Sequence, residues 1–494
     1  MASKEAKVSR FYWMHVAIGL LLMIGFPQLK PIEPITEVGM WVGGIFLGMV
    51  YLWSTLDSIW PSLLGLLLLA AFSGYTGPEV TGYAAVKQVL MESIGNDTVI
   101  TILLGMVLFG AFEALGCTKY LAQFFLTRKI FSGRPYVFLF VVFLCSYVVS
   151  GITMAMASLL ILWPLMTETL KVFKYDAKDK LVWISTFGIF LGATLGQPMF
   201  PFKGAALIVT SAFTNVTGIS VNYGAYVLYN LLMSLLIMIC FLLFVKFVIR
   251  PDVSKMKAIT AEQFREKKLP PMNVQQKIFL ATCVGIIVLL LLPSVLPKGF
   301  FLRVFIQSFG INGLLILSIV VLMVLPLQGK PILDFRTVAR KSISWDIVFL
   351  VAAAIYTCNA VSSDVTGIKE FLAGALQPLL GGKPEFIFVM ILFAFALITS
   401  NFANNSGMAI VLMPIVVAFS DQYPDVPIIA VCMTITMVVF IAILTPAASP
   451  YAAMMHGMKD QISFKQIMIL GIPVCVMALL LYTFIGYPVA KLLF

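Results

Sequence analysis

Apolar runs of bilayer length recur along this chain from Phe11 onward, and they restrict what its backbone can do. In hydrocarbon every N–H and C=O must find a partner inside the protein, which leaves helices or a closed barrel. Runs of about 20 apolar residues suit helices, whereas barrel strands need only about 10. Only 11% of the 494 residues are charged, against about 25% in a soluble domain. The sequence therefore predicts an all-α polytopic membrane protein. Spans are expected at 11–28, 36–54, 57–74, 98–117, 181–215, 223–247, 276–296, 304–327, 345–361, 426–456 and 466–489. Two more apolar segments, 135–167 and 384–420, are long enough to enter and return, and each has polar or small residues at its middle. Both read as re-entrant hairpins. Phe11–Phe26 follows MASKEAKVSR with no small-residue cleavage site, so it reads as a first span and not as a removed signal.

The second hairpin carries LITSNFANNSGMAIVLMP (397–414), with Asn401, Asn404, Asn405 and Ser406 inside an apolar run. Polar groups at bilayer depth are costly unless they meet a partner or line a cavity. Amide and carbonyl oxygens are neutral, hard donors that suit Na⁺, and helix N-termini suit carboxylates. The stretch reads either as a broken tip that holds a small ion or as polar glue between helices.

Loop charge orients the chain. Of the 33 Lys and Arg residues, 25 fall in loops that this layout makes cytoplasmic and six in outer loops, which favours a cytoplasmic N-terminus. The same asymmetry explains the net charge of +11 without nucleic acid. A repeat is also visible. GCTKYLAQFF (116–125) recurs as GIKEFLAGAL (367–376), Arg134-Pro135 as Lys383-Pro384, Pro164 as Pro414, and Pro201-Phe202 as Pro450-Tyr451. The expected organisation is an N-terminal region (1–35), a first repeat (36–250), a cytoplasmic linker (251–275) and a second repeat (276–494), with the repeats facing opposite ways. Inverted repeats with broken helices at the midplane are a secondary-transporter architecture.

Within the repeats, 181–215 is interrupted by GATLGQPMFPFKG and 426–456 by LTPAASPYAAM. Proline removes a donor and clashes with the preceding turn, so each pair either kinks its span or opens it and frees carbonyls. Lys203 follows the first break inside an apolar run. It either meets an anion or snorkels to the surface. Glu113 reads as structural, and Asp346 and His456 as interfacial. The seven cysteines are scattered singly through apolar segments and read as packing. Two distant histidines, no HExxH and no Walker loop argue against a membrane-embedded enzyme and against ATP drive. Two offset broken helices suit alternating access better than a channel.

From TLDSIWPSLLGLLLLA (55–70) through both hairpins and both breaks, the chain resembles the divalent anion/sodium symporter family. That resemblance implies a homodimeric, elevator-type symporter or exchanger in the plasma or inner membrane. It implies a small organic anion as substrate, a di- or tricarboxylate, and Na⁺ as coupling ion. An inorganic-anion permease or a Na⁺/H⁺ antiporter of the same superfamily is the alternative. The family's Ser-Asn-Thr tip falls on Asn404-Asn405-Ser406, and its Ala-Thr-Pro break resembles Ala448-Ser449-Pro450. Its Gly-Thr-Pro break resembles Gly196-Gln197-Pro198, and SGIT (150–153) retains Ser150 and Thr153. The resemblance thus assigns Asn404, Asn405, Ser406, Ser449, Pro450, Gln197, Pro198, Ser150 and Thr153 to the substrate, joined by Lys203. It assigns Ser400, Ala403, Asn405 and Ala448 to Na⁺. Met154-Ala155-Met156 stands where the first tip needs side-chain oxygens. A weakened first Na⁺ site is expected, with Lys203 supplying the charge. Asn405 is expected to be essential and Asn401 dispensable.

Overall fold

The computed structural model describes residues 10–494, apart from residues 78, 128–129, 131, 177–178, 259–268, 403–404, 420–422 and 447. The described chain is helical almost throughout, with one two-stranded ribbon pairing Pro326–Leu327 with Lys330–Pro331. The first half runs through α1 (Arg10–Leu20), α2 (Glu37–Thr55), α3 (Ile59–Phe72), α4 (Tyr83–Ser93), α5 (Asp97–Ala114) and α6 (Cys117–Leu126). A hairpin follows, α7 (Pro135–Ile152) and α8 (Ala155–Val172), then the halves of a broken span, α9 (Lys180–Gly196) and α10 (Gly204–Thr217), and then α11 (Tyr223–Phe244).

Beyond the linker come α12 (Val274–Leu291), α13 (Phe301–Val324), α14 (Phe335–Ser342), α15 (Trp345–Val361) and α16 (Ile368–Leu380). A second hairpin, α17 (Glu385–Phe402) and α18 (Asn405–Ala418), precedes a second broken span, α19 (Ile428–Val438) and α20 (Pro450–Gly457). The chain closes with α21 (Phe464–Leu481) and α22 (Tyr487–Leu493). The element order of α5–α11 thus recurs in α15–α21. The recurrence reaches single residues. Gly116 and Gly367, which open the two copies of the repeated decapeptide, both adopt left-handed backbone (φ +71 and +64°) and both precede a helix.

Eleven described helices are long and apolar enough to cross a bilayer, but they are not the eleven expected. Both legs of the first hairpin and the first leg of the second qualify by length, while α3, at 14 residues, and the halves of the second broken span do not. The expected span at 345–361 begins with a 69° bend, where α14 meets α15. Two of the repeated prolines do not interrupt a helix. Pro164 and Pro414 lie inside α8 and α18 and do not close the hairpins; an interior proline in a protein-packed membrane helix costs a hydrogen bond without ending the helix.

At the centre lies α9. The stretch Lys180–Met199 is 94% buried, against 22% for Phe301–Val324. Its sequence explains this. Gly188, Gly192 and Gly196 recur every four residues and so form one face. A β-carbon on Gly192 would come within 2.4 Å of the Phe143 carbonyl, and one on Gly196 within 2.1 Å of the Tyr147 carbonyl. Gly192 and Gly196 let α7 lie against α9 backbone to backbone, and Gly188 makes room for the Phe143 ring. Ser146 and Ser150 of α7 then donate to the α9 carbonyls of Ile189 and Ala193, each at 2.6 Å.

Candidate functional site

The first hairpin packs on α9, the first break continues from its end, and the helix after the second break touches it. The first break opens at Pro198, whose ψ of 20° leaves the helical range, and ends at Lys203, extended at φ −142°, ψ 142°. The second spans the residues between Val438 and Pro450. The breaks touch each other, since the Tyr451 hydroxyl donates to Gln197 Oε1 at 2.6 Å. α10 packs along α18, so the helix after the first break runs beside the return leg of the second hairpin.

Lys203 does not snorkel. Its ammonium turns inward and donates to the carbonyl of Gly151, at 2.9 Å, and to that of Thr153. Those carbonyls lie at the C-terminal end of α7, where the helix dipole is negative and peptide oxygens lack intrahelical partners. A cation is the natural partner there, and the chain supplies one covalently. Beside it, Thr153 folds its own hydroxyl back onto Val149 O at 2.7 Å, while Met154 at the turn is 46% exposed.

The second hairpin is tied to the second break by a residue that its sequence position had made expendable. Asn401 is 1% exposed. Its Oδ1 accepts from the amides of Ile443 and Leu444 at 2.8 and 2.7 Å, and its Nδ2 donates to Leu397 O and Ile441 O at 2.7 and 2.9 Å. The Thr445 hydroxyl donates to its carbonyl. One side chain thereby satisfies backbone groups that unwinding has orphaned, as any helix break surrounded by hydrocarbon requires. The expectation that Asn401 is dispensable does not fit this geometry.

The remaining assigned residues are distributed as follows. Ser449 caps α20, accepting from Ala452 N at 3.1 Å, with Pro450 at the first helical position. Ala448 is fully buried, and Ser400 is buried with its hydroxyl donating to Leu397 O at 3.1 Å. Pro198 is buried at the first break. Ser150 acts as a pin between α7 and α9. Ala403 and Asn404 lie outside the described residues, and Asn405 and Ser406 are described only as the opening turn of α18. Sequence reasoning missed Asn401, Tyr451 and the Gly188/Gly192/Gly196 ridge as parts of the site's frame. The ridge had a signal, the pattern G-x-x-x-G-x-x-x-G. Tyr451 had its place in the repeat, but the partner of Asn401 is 40 residues distant and left none.

The overall fold resembles that of a solved transporter. The crystal structure of the YdaH transporter from Alcanivorax borkumensis superposes with a TM-score of 0.56 at 14% identity, covering 92% of this chain and 97% of that one. Comparison with curated proteins by sequence finds no match. The family model of the sodium:sulfate symporter transmembrane region matches residues 10–494. Matched over nearly its whole length, the chain belongs to the sodium:sulfate symporter family, the divalent anion/sodium symporters that its hairpin tips and broken spans resemble.

Proposed function

We propose that this membrane transporter is a secondary active carrier of a small organic anion, a di- or tricarboxylate, working predominantly as an exchanger. The observation that carries the reading is the Lys203 ammonium, fixed on the carbonyls of Gly151 and Thr153 at the first hairpin turn. A fixed positive charge in a low-dielectric site attracts an anion strongly. It also does there what a bound cation would otherwise do, and it cannot leave. The remaining coupling ion is one Na⁺ at the second hairpin, held by Ser400, Asn405 and the backbone of Ala403 and Ala448. The buried Ser400 hydroxyl donates to Leu397, which leaves its oxygen free to accept a cation. The carrier works as an inverted-repeat, elevator-type homodimer in the cell membrane, with its N-terminus in the cytoplasm. Sulfate is the second reading, favoured by the family's description.

Thermal-shift measurements on purified protein with succinate, citrate and sulfate, each with and without Na⁺, separate the two readings, because a ligand of the folded state raises its apparent stability by mass action. In proteoliposomes, Lys203→Ala is expected to abolish counterflow of the anion that shifts the wild type, and wild-type exchange to depend on Na⁺ with an apparent stoichiometry near one. Full exchange by Lys203→Ala, or a steeply sigmoidal Na⁺ dependence in the wild type, would sink the proposal.

A further inference from the structure

Lys203 has a neighbour that neither hairpin supplies. Its Nζ stands 5.0 Å from the centroid of the Phe109 ring. Phe109 belongs to α5, and Glu113 follows it by one helical turn on the same face. α5 packs against α12, α13 and α14, and it touches α10, the helix that Lys203 caps. Glu113 and Lys203 are near enough for their charges to act on one another. Among the described residues, the Glu113 carboxylate has no hydrogen bond or ion pair, and the backbone carbonyl of Glu113 accepts from Gly116 N. A half-buried carboxylate in a membrane helix is costly unless it serves a partner.

We propose that Glu113 is the internal anion whose charge acts on Lys203 from α5 when no substrate is bound, so that the substrate carboxylate takes over that role and the empty carrier is held back. This rests on the reading of Lys203 as the substrate's cationic partner. With the anion bound, Lys203 is neutralised from the substrate side and its attraction to α5 falls, so the hairpin body is free to move. With the site empty, movement separates opposite charges across a dry interface, where they are weakly screened. Exchange is then fast and net efflux slow. Glu113 acts through Lys203 and is a positioning residue.

The test compares two fluxes in the same proteoliposomes, loaded with labelled succinate, citrate or sulfate. One flux is efflux into anion-free medium, and the other is exchange against the same anion outside. Glu113→Gln should keep exchange close to wild type and raise the efflux-to-exchange ratio roughly tenfold, the size of an ordinary coupling between sites. Glu113→Asp, shorter by one methylene, should raise the ratio by a smaller factor, and it serves if the glutamine variant does not fold. A wild-type ratio in either folded variant overturns the proposal while leaving the role of Lys203 intact. Absence of exchange of all three anions by the wild type overturns the anion-carrier reading, and this inference with it.

Discussion

At the level of single residues, the site is governed by where side-chain polar atoms meet unwound backbone. Asn401 is the clearest case. Asn401→Ala would leave the amides of Ile443 and Leu444 and the carbonyl of Ile441 without partners, and a buried unpaired group costs about 1–3 kcal/mol. We expect the variant to lose several kcal/mol of stability and most of its transport, with Asn401→Asp in between because it keeps only the accepting half. Melting curves in detergent and uptake in proteoliposomes check both. Tolerance of alanine here would mean that the clamp is not needed. Lys203 was legible in the sequence because a charge in an apolar run has few explanations. The role of Asn401 was not, because motif spacing places a residue relative to its chain neighbours and says nothing of a segment 40 residues on.

Among the helices, hairpins and breaks were legible and the packing that holds them was only partly so. Paired prolines and small residues marked both interruptions, since only they open a helix whose surroundings are otherwise apolar. The extent of each piece was less legible. α4 and the bend before α15 were not expected, because neither sits in a run of span length. The glycine ridge of α9 gives a sharp prediction. In Gly196→Ala the new methyl would meet the Tyr147 carbonyl at 2.1 Å, a backbone contact that cannot yield locally, at a cost of about 3 kcal/mol or more. Gly285→Ala in α12 meets nothing within 4 Å and should gain up to about 1 kcal/mol in helix propensity. Thermal stability of the two variants should therefore move in opposite directions. Equal effects would mean that α7 and α9 are not in backbone contact.

Across the molecule, the repeat seen in a few short motifs corresponds to a recurring order of helices, and the basic loops predict how that order is threaded through the bilayer. Lys119→Cys and Lys257→Cys, both at exposed positions, should resist a membrane-impermeant thiol reagent in intact cells and react after permeabilisation, while Lys298→Cys should react from outside. External labelling at position 119 or 257 would overturn the orientation. The burial of α9 bears also on how the protein is made. Its neighbours in the finished molecule include α20 and α21, and the β-carbon of a residue at Gly471 would touch Leu444 and Phe187. Those helices leave the ribosome roughly 270 residues after α9, a delay on the order of 10–60 s at about 5–20 residues per second. Throughout that interval α9 has α7 and α8 for company but lacks its later walls. A span bearing Ser185, Thr186 and Thr194 is a poor guest for lipid, so nascent chains halted before Phe464 should crosslink through α9 to the insertion machinery, and full-length chains should not.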